Sequence, residues 1–193
     1  MPKLKGKTEP RLIVLAAPSG AGKTTLCEML LRDYPNIRLS ISTTTRQKRP
    51  NEVDGVHYHY VTREKFQDKI DAGEFAEWAE VHGHRYGTSR KTVDTFLGAG
   101  NSVLFDIDVQ GAMSLLKIYK ERVLLIFIHP PSMEILERRL RERRSDSPAA
   151  IEKRLQNAYN EVEWSKKFDY QITNDNLSRA YQELKNIIEK ECP

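Results

Sequence analysis

Only two cysteines, Cys27 and Cys192, occur in the 193 residues, and they lie near opposite ends of the chain. That scarcity argues against a disulfide framework or a thiolate metal site and fits a reducing compartment. Long apolar runs are missing too: none approaches the ~20 residues that a membrane span needs, so no membrane partner is expected. The N-terminal "MPKLKGKTEP" is basic but has no apolar stretch of the kind a secretory signal carries. Residues 1–10 therefore read as a flexible leader, and the protein as cytoplasmic. Neither sign of charge dominates. The 31 Lys and Arg against 27 Asp and Glu leave a net +4, with both signs mixed along the chain. Such a balance suits an anionic ligand without marking a nucleic-acid binder, and no nucleic-acid partner is expected. Internal repeats and low-complexity tracts are absent. What remains, 39% hydrophobic and 30% charged, is an ordinary globular composition, long enough for one domain with a core and a smaller inserted lobe.

Strands and helices alternate along much of the chain. "RLIVLAA" (11–17), "SVLFDID" (102–108) and "RVLLIFIH" (122–129) are short apolar runs that predict buried parallel strands, and "YQIT" (170–173) predicts a last short one. "KTTLCEMLLRDY", "VQGAMSLLKIY" and "LSRAYQELKNIIEK" have helical spacing. Ser132 is placed to cap "SMEILERRLRERR", and Ser147 with Pro148 to open a helix reaching about Lys167. The alternation predicts an α/β fold, a parallel sheet covered on both faces. Residues 43–98 break the rhythm. Polar and rich in Thr, His, Tyr and Gly, with alternating "VHYHYVT" and a short helical "REKFQDKIDAG", they read as a small inserted α+β lobe.

Another absence is local. "LAAPSGAGKTT" (15–25) matches the phosphate-loop pattern G-x-x-x-x-G-K-S/T except that Ala17 replaces the first glycine. Ala17 precedes Pro18, and a residue before proline is pushed to extended conformations with negative φ, which alanine adopts freely. The missing glycine is thus expected to be tolerated. Strand, loop and helix follow in the order such a loop requires. Across Ala17–Thr25, Gly20 and Gly22 fold the backbone so that N–H groups face phosphate oxygens, with Ser19 before them and Ala21 between them. Lys23 brings positive charge to the β- and γ-phosphates, and the Thr24 hydroxyl is a ligand for Mg²⁺.

Beyond that loop, "STTTRQKR", "GVHYHYV", "FAEWAEVHGHRYGTS", "LFDIDVQGA" and "RLRERRSDS" followed by "IEKRL" together resemble the guanylate kinase family over residues 11–190. The resemblance implies a P-loop NTPase-type parallel sheet flanked by helices (11–42 and 99–190), a nucleoside-monophosphate lobe (43–98) and a helical lid (138–154). It implies transfer of the γ-phosphate of MgATP to GMP, and to dGMP, serving GTP synthesis and GMP recycling. ATP and GMP are then the partners, Mg²⁺ the cofactor, and a homo-oligomer is left open. Arg46 and Arg49, with Tyr58 and Tyr86, are implied at the GMP phosphate, where forked guanidinium groups suit a monoester. Glu77 is implied as acceptor for guanine N1 and N2, with Ser42, Thr88 and Asp108 completing the base pocket. A carboxylate there accepts from two donors that adenine does not offer. Asp106 is implied beside GMP and at Mg²⁺ through water. Arg139, Arg143 and Arg154 correspond to lid arginines, with Lys23, Arg46, Arg143 and Arg154 catalytic around the transferring group. Asn174, in "ITNDN", is implied near adenine. Arg138, Arg141 and Arg144 read as the solvated face of their helix.

Three positions depart from the family pattern: Lys48 for proline, Asn51 for glycine and His57 for aspartate. They bear on the shape of the GMP loop more than on its chemistry. The pairs His57/His59 and His82/His84 have metal-like spacing but no cysteines nearby, and read as non-ligating. Trp78 and Trp164 read as packing residues. Three rival functions are weaker. A peptide-binding scaffold of this family typically loses the loop and GMP residues that are present here. A kinase of phosphorylated sugars has no use for Glu77, and an RNA-binding module needs basic and aromatic residues interleaved along a strand face.

Overall fold

The computed structural model describes residues 9–81, 83–142 and 147–192. Most of the expected leader, His82 and the Arg143–Arg144 pair lie outside the described residues. Five parallel strands form the central sheet: β1 (Leu12–Ala16), β2 (Ile37–Leu39), β7 (Ser102–Asp106), β8 (Val123–His129) and β9 (Tyr170–Thr173), in the order β2-β7-β1-β8-β9. Strand β2 carries too few apolar residues to stand out in the sequence; only Ile37 is fully buried.

Successive residues of the inner strands feed two separate cores. Leu12 and Val14 of β1, Val103 and Phe105 of β7, and Leu125 and Phe127 of β8 face one side. There α3 (Arg90–Gly98) and α4 (Val109–Tyr119) cover them with Val93, Leu97, Ala112 and Leu115. Ile13, Leu15, Leu104, Leu124 and Ile126 face the other side, under α1 (Lys23–Asp33) and α7 (Leu177–Glu191). Burial on both faces explains why these strands read as unbroken apolar runs. A third cluster joins Leu136 and Leu140 of α5 (Met133–Glu142) to Ile151, Leu155 and Ala158 of α6 (Pro148–Trp164). Both expected caps form: Ser132 Oγ accepts from Ile135 N at 3.3 Å and Ser147 Oγ from Ala150 N at 3.3 Å.

A second sheet has the order β4-β3-β6-β5, from β3 (Thr43–Thr44), β4 (His59–Tyr60), β5 (Phe75–Val81) and β6 (His84–Ser89). The alternation in "VHYHYVT" supports only the two residues of β4, because Asp54–Tyr58 closes a tight turn with Gly55 at φ +75°. Helix α2 (Arg63–Asp71) packs Phe66 on Phe75, ring centroids 4.6 Å apart. The two tryptophans correct the expectation that they pack. Trp78 points outward from β5 and is 42% exposed, with the Arg85 guanidinium over its ring. Trp164 is 41% exposed, with Lys167 Nζ 4.0 Å from its centroid. Alternation along β5 leaves Trp78 no inward face, since Glu77 and Ala79 take it. Among the described residues no helix is long and apolar enough to cross a membrane.

Phe127 is fully buried, with its ring edge-to-face on Phe168 at 5.4 Å. Phe127→Ala is expected to cost about 3–5 kcal/mol, measured by urea unfolding; a loss within experimental error would mean that the strand is not packed on both faces.

Candidate active site

The site forms where the chain reverses direction across the sheet. From β1 the chain crosses through α1 to the edge strand β2; from β7 it crosses through α4 to β8, on the other side of β1. The carboxyl ends of β1 and β7 therefore flank a crevice, the usual place for a ligand in such sheets. Ala17–Gly22 leaves β1 there and turns tightly, with Ala21 N donating to Pro18 O at 3.0 Å. Gly20 and Gly22 have φ of +101° and +92°, whereas Lys120 is the one non-glycine residue with positive φ among those described. Ala17 is thus on the side of φ that alanine tolerates, and the missing glycine has its explanation. Helix α1 starts with Gly22 as N-cap and no side-chain cap. Its first N–H groups remain open to an anion, with the helix dipole behind them.

Lys23 Nζ reaches back across the crevice to Asp106 Oδ1 at 2.7 Å and to the Ile107 carbonyl at 2.9 Å. Burial pulls the lysine pKa down, but the charge and hydrogen bond of Asp106 outweigh it and leave the pKa above the usual lysine value. Thr24 and Thr25 hold exposed positions at the crevice. Asn174 is buried against the loop itself: its Nδ2 donates to Ala21 O at 2.8 Å, and a side chain at Gly22 would collide with it. Ala21 is likewise buried.

One cavity of about 400 Å³ runs from this loop to the second sheet, lined at the loop end by Ser19, Gly20, Lys23 and Asp106. At its far end stands Glu77, 5% exposed. Thr88 Oγ1 donates to Glu77 Oε1 at 2.7 Å, and Ser42 Oγ lies 3.4 Å from Thr88 Oγ1. Burial raises the Glu77 pKa to about 7; the Thr88 hydroxyl opposes the shift and the Asp108 charge adds to it. Asp108 caps α4, its Oδ1 accepting from Gly111 N at 2.9 Å, and burial raises its pKa as well. Thr88 supports Glu77 from behind and does not itself line the cavity.

Between the two ends lie Arg49, Tyr58 and Tyr86, with the two tyrosine rings edge-on at 5.9 Å. Arg46 is close by but committed elsewhere. Its guanidinium forms a two-pronged pair with Glu52, at 3.0 and 2.6 Å, and lies over the Tyr58 ring at 5.4 Å. Glu52 also accepts from Arg49 N and Tyr60 Oη, each at 2.8 Å. The hydrogen bond from Arg46 is the largest influence in holding the Glu52 pKa at about 2. His57, at one of the positions that depart from the family pattern, accepts from Val53 N through Nδ1 at 3.0 Å. Lys48 and Asn51 are exposed.

Helices α5 and α6 lean on the phosphate loop. Arg139 Nη1 donates to Gly20 O at 3.3 Å, and Arg154 Nη1 to Ser19 Oγ at 3.0 Å. Arg143 lies outside the described residues. Arg138 and Arg141 pair with Glu142 and Glu137 on the exposed face of α5. Two carboxylates of the site escaped the sequence reading. Glu52 carries only the weak signal of following Arg46 by six residues. Glu161 of α6 lines the cavity seven residues after Arg154, two turns along the same face. Burial raises its pKa to about 7, with Lys23 opposing and Asp108 reinforcing. A larger depression of about 700 Å³ opens at the opposite, amino-terminal ends of β1, β8 and β9, lined by Arg11, Glu121 and Asp169. It has no phosphate loop, and parallel α/β sheets bind ligands at the other end.

Comparison with known proteins agrees with this geometry. The family described as Guanylate kinase matches residues 9–191. The chain is 49% identical over 182 residues to a guanylate kinase of Geobacter sulfurreducens, covering 94% of this chain and 89% of that protein. It is 48% identical over 180 residues to one of Sphingopyxis alaskensis, covering 93% and 82%. A crystal structure of guanylate kinase from Anaplasma phagocytophilum superposes with a TM-score of 0.81 at 35% identity, covering 96% of this chain and 87% of that one.

The Glu52 hub makes a prediction about acid stability. Its carboxyl pKa is lowered on folding, so the stabilisation is complete above its unfolded value near 4.5 and is lost as pH falls through about 2. Glu52→Gln should therefore be less stable than the parent at pH 6 in urea titrations, with the gap narrowing steadily below pH 4.5. A gap independent of pH would mean that the ion pair contributes nothing.

Proposed function

The chain belongs to the guanylate kinase family, and from this site we propose that it transfers the γ-phosphate of ATP to GMP, giving ADP and GDP. The observation that carries the proposal is one cavity with a phosphate loop at one end and a buried carboxylate, Glu77, at the other. ATP phosphates fit the uncapped start of α1 and Lys23. The guanine of GMP fits Glu77, with its N1–H and N2–H donating to the carboxylate. Arg49, Tyr58 and Tyr86 stand between, where the GMP phosphate would lie. The same contacts accept dGMP. Residues 43–98 act as the monophosphate lobe, 11–42 and 99–190 as the core, and 138–154 as the lid. With two free cysteines, one buried in α1, we assign the protein to the cytoplasm.

Phosphoryl transfer needs little covalent help. Lys23, held by Asp106, keeps its charge where the β- and γ-phosphates would bind. Arg154 and Arg139 reach the loop from the lid side and bring further positive charge toward the transferring group, where the transition state spreads negative charge. Arg143 is assigned to the same work from the family pattern. Arg46 would join once a phosphate dianion competes with Glu52 for its guanidinium. The oxygen of GMP's own phosphate is the nucleophile, so no covalent enzyme intermediate is required. Asn174 holds the loop shape through Ala21 O, and the family pattern assigns it a place near adenine.

Mg²⁺ fits the donors present. Among the described residues no group of three or more His, Cys, Asp or Glu could hold a metal. The Thr24 hydroxyl, directly, and Asp106, through water, would hold an ion that draws its remaining ligands from phosphates and water. When bound, the ion would supply positive charge that neutralises the nucleotide phosphates.

Following ADP release from ATP with each nucleoside monophosphate in turn tests the proposal; phosphorylation of AMP or UMP as fast as GMP would refute it. Lys23→Ala should lower kcat by roughly 10²-fold or more while the fold is retained in circular dichroism, a loss of activity far beyond what the lower melting temperature from unpairing Asp106 explains.

The choice of base is tested at Glu77. The carboxylate form accepts from guanine, so GMP binding should weaken as pH falls through about 7, where burial places its pKa. Glu77→Gln keeps the shape but replaces one acceptor oxygen by a donor. The ratio of kcat/KM for GMP over AMP, expected at ~10⁴ or more in the parent, should fall steeply. The extra pH dependence of GMP binding should vanish in the same variant. A ratio unchanged in Glu77→Gln would mean that Glu77 does not read the base.

A further inference from the structure

Gly111 lies in the first turn of α4, inside a helix, where glycine is a poorer choice than alanine. It is not among the glycines with positive φ, so no turn or left-handed cap accounts for it. Space does. A Cβ built on its backbone would stand 2.8 Å from Glu77 Oε2, 3.2 Å from Ile107 Cδ1 and 3.4 Å from Asp108 Oδ1. The first of these is closer than a carbon and an oxygen can pack, so Glu77 would have to move. The neighbours leave it little room. Glu77 Oε1 is tied to Thr88 Oγ1 at 2.7 Å, Thr88 is almost fully buried in β6, and Asp108 is fixed to the Gly111 N–H itself. The carboxylate is thus set between a hydroxyl on one oxygen and bare helix backbone on the other.

We propose that Gly111 is a specificity-determining position that acts through Glu77: the missing side chain sets where the base-reading carboxylate stands. The inference rests on the reading of Glu77 as the guanine acceptor. A purine edge with adjacent N–H donors needs both carboxylate oxygens in its own plane, and a displacement approaching 1 Å breaks that match. Adenine, which donates nothing to Glu77 through N1, has little to lose. Gly111 touches neither substrate in this scheme. Its effect is on position, and it belongs to GMP selection and not to the phosphate end, which is built by β1, α1 and the lid helices.

The test is Gly111→Ala, alone and in a Glu77→Ala background, with kinetics on GMP, AMP and ATP. Alone, it should lower the GMP-over-AMP ratio of kcat/KM on the order of 10- to 100-fold. The loss should lie mainly in KM for GMP, with KM for ATP unchanged. In the Glu77→Ala background, where no carboxylate remains to displace, the same change should leave the ratio as it was. If Gly111→Ala keeps the parental ratio while Glu77→Gln collapses it, the inference fails and the base-reading role stands. Should Glu77→Gln itself leave the ratio unchanged, both fail together. An equal loss for GMP and AMP, present in both backgrounds, would reveal an ordinary packing defect and overturn the inference. If the single variant does not fold, recovery of folding in Glu77→Ala/Gly111→Ala would locate the conflict at Glu77, and its absence would refute the proposal.

Discussion

The ion pair between Lys23 and Asp106 ties the two halves of the active site together. One partner is the first residue of α1, the other the last residue of β7, and the 2.7 Å contact closes the crevice between neighbouring strands. Lys23 also donates to the Ile107 carbonyl, so the chain leaving β7 is drawn toward the phosphate loop just before it turns into α4. Asp108, two residues beyond Asp106, caps α4, and α4 packs against the strand that carries Glu77. A half-buried lysine would ordinarily lose its proton more readily. Here the carboxylate reverses that tendency and keeps a full charge facing the loop. Through this short path the placement of the phosphate loop constrains the placement of Glu77.

The sheet was readable because of its burial. Strands covered on both faces must be apolar at every position, and β1, β7 and β8 stand out from the sequence for that reason. Short polar strands give no such signal, and β2 went unread. Caps were readable wherever the chemistry is local, as at Ser132 and Ser147. Residue type alone does not place Trp78, because strand parity puts it at an outward position between two buried ones.

Much of the candidate site was legible for a different reason. Ala17, Lys23, Arg49, Tyr58, Glu77, Tyr86 and Arg154 come from segments far apart in sequence, and the fold gathers them around one cavity. Single-residue identity would not have found Glu77, since most glutamates are solvated; the motifs around it did. What stayed hidden were partners that show no local pattern. Glu52 holds four donors, two from Arg46 and one each from Arg49 and Tyr60, and its role depends on a loop whose shape the sequence does not spell out. Glu161 is visible only once α6 crosses the crevice. Asn174 shows the same lesson. The family resemblance of "ITNDN" implies a place near adenine, whereas the bond its amide donates to the Ala21 carbonyl, which shapes the phosphate loop, shows only in the fold.

On the proposed reading of Glu77 as the guanine acceptor, selectivity for a base and stability of the fold pull against each other. The carboxyl is 5% exposed and its pKa is raised to about 7, so near neutral pH the empty site holds a carboxylate whose ionised form is disfavoured by burial. A hydrophobic side chain there would serve the core better. What the carboxylate gains is a ligand with two donors, which relieves the same desolvation that raised the pKa. A ligand without those donors leaves the cost unrelieved. In the proposed scheme discrimination arises from a destabilised empty site as much as from attraction to the right base. The arrangement works only if the carboxylate cannot escape to water or to another donor when empty. Thr88 behind it, Asp108 beside it and the bare backbone of Gly111 against its second oxygen close those routes, and they do so with elements of the rigid scaffold instead of a loop.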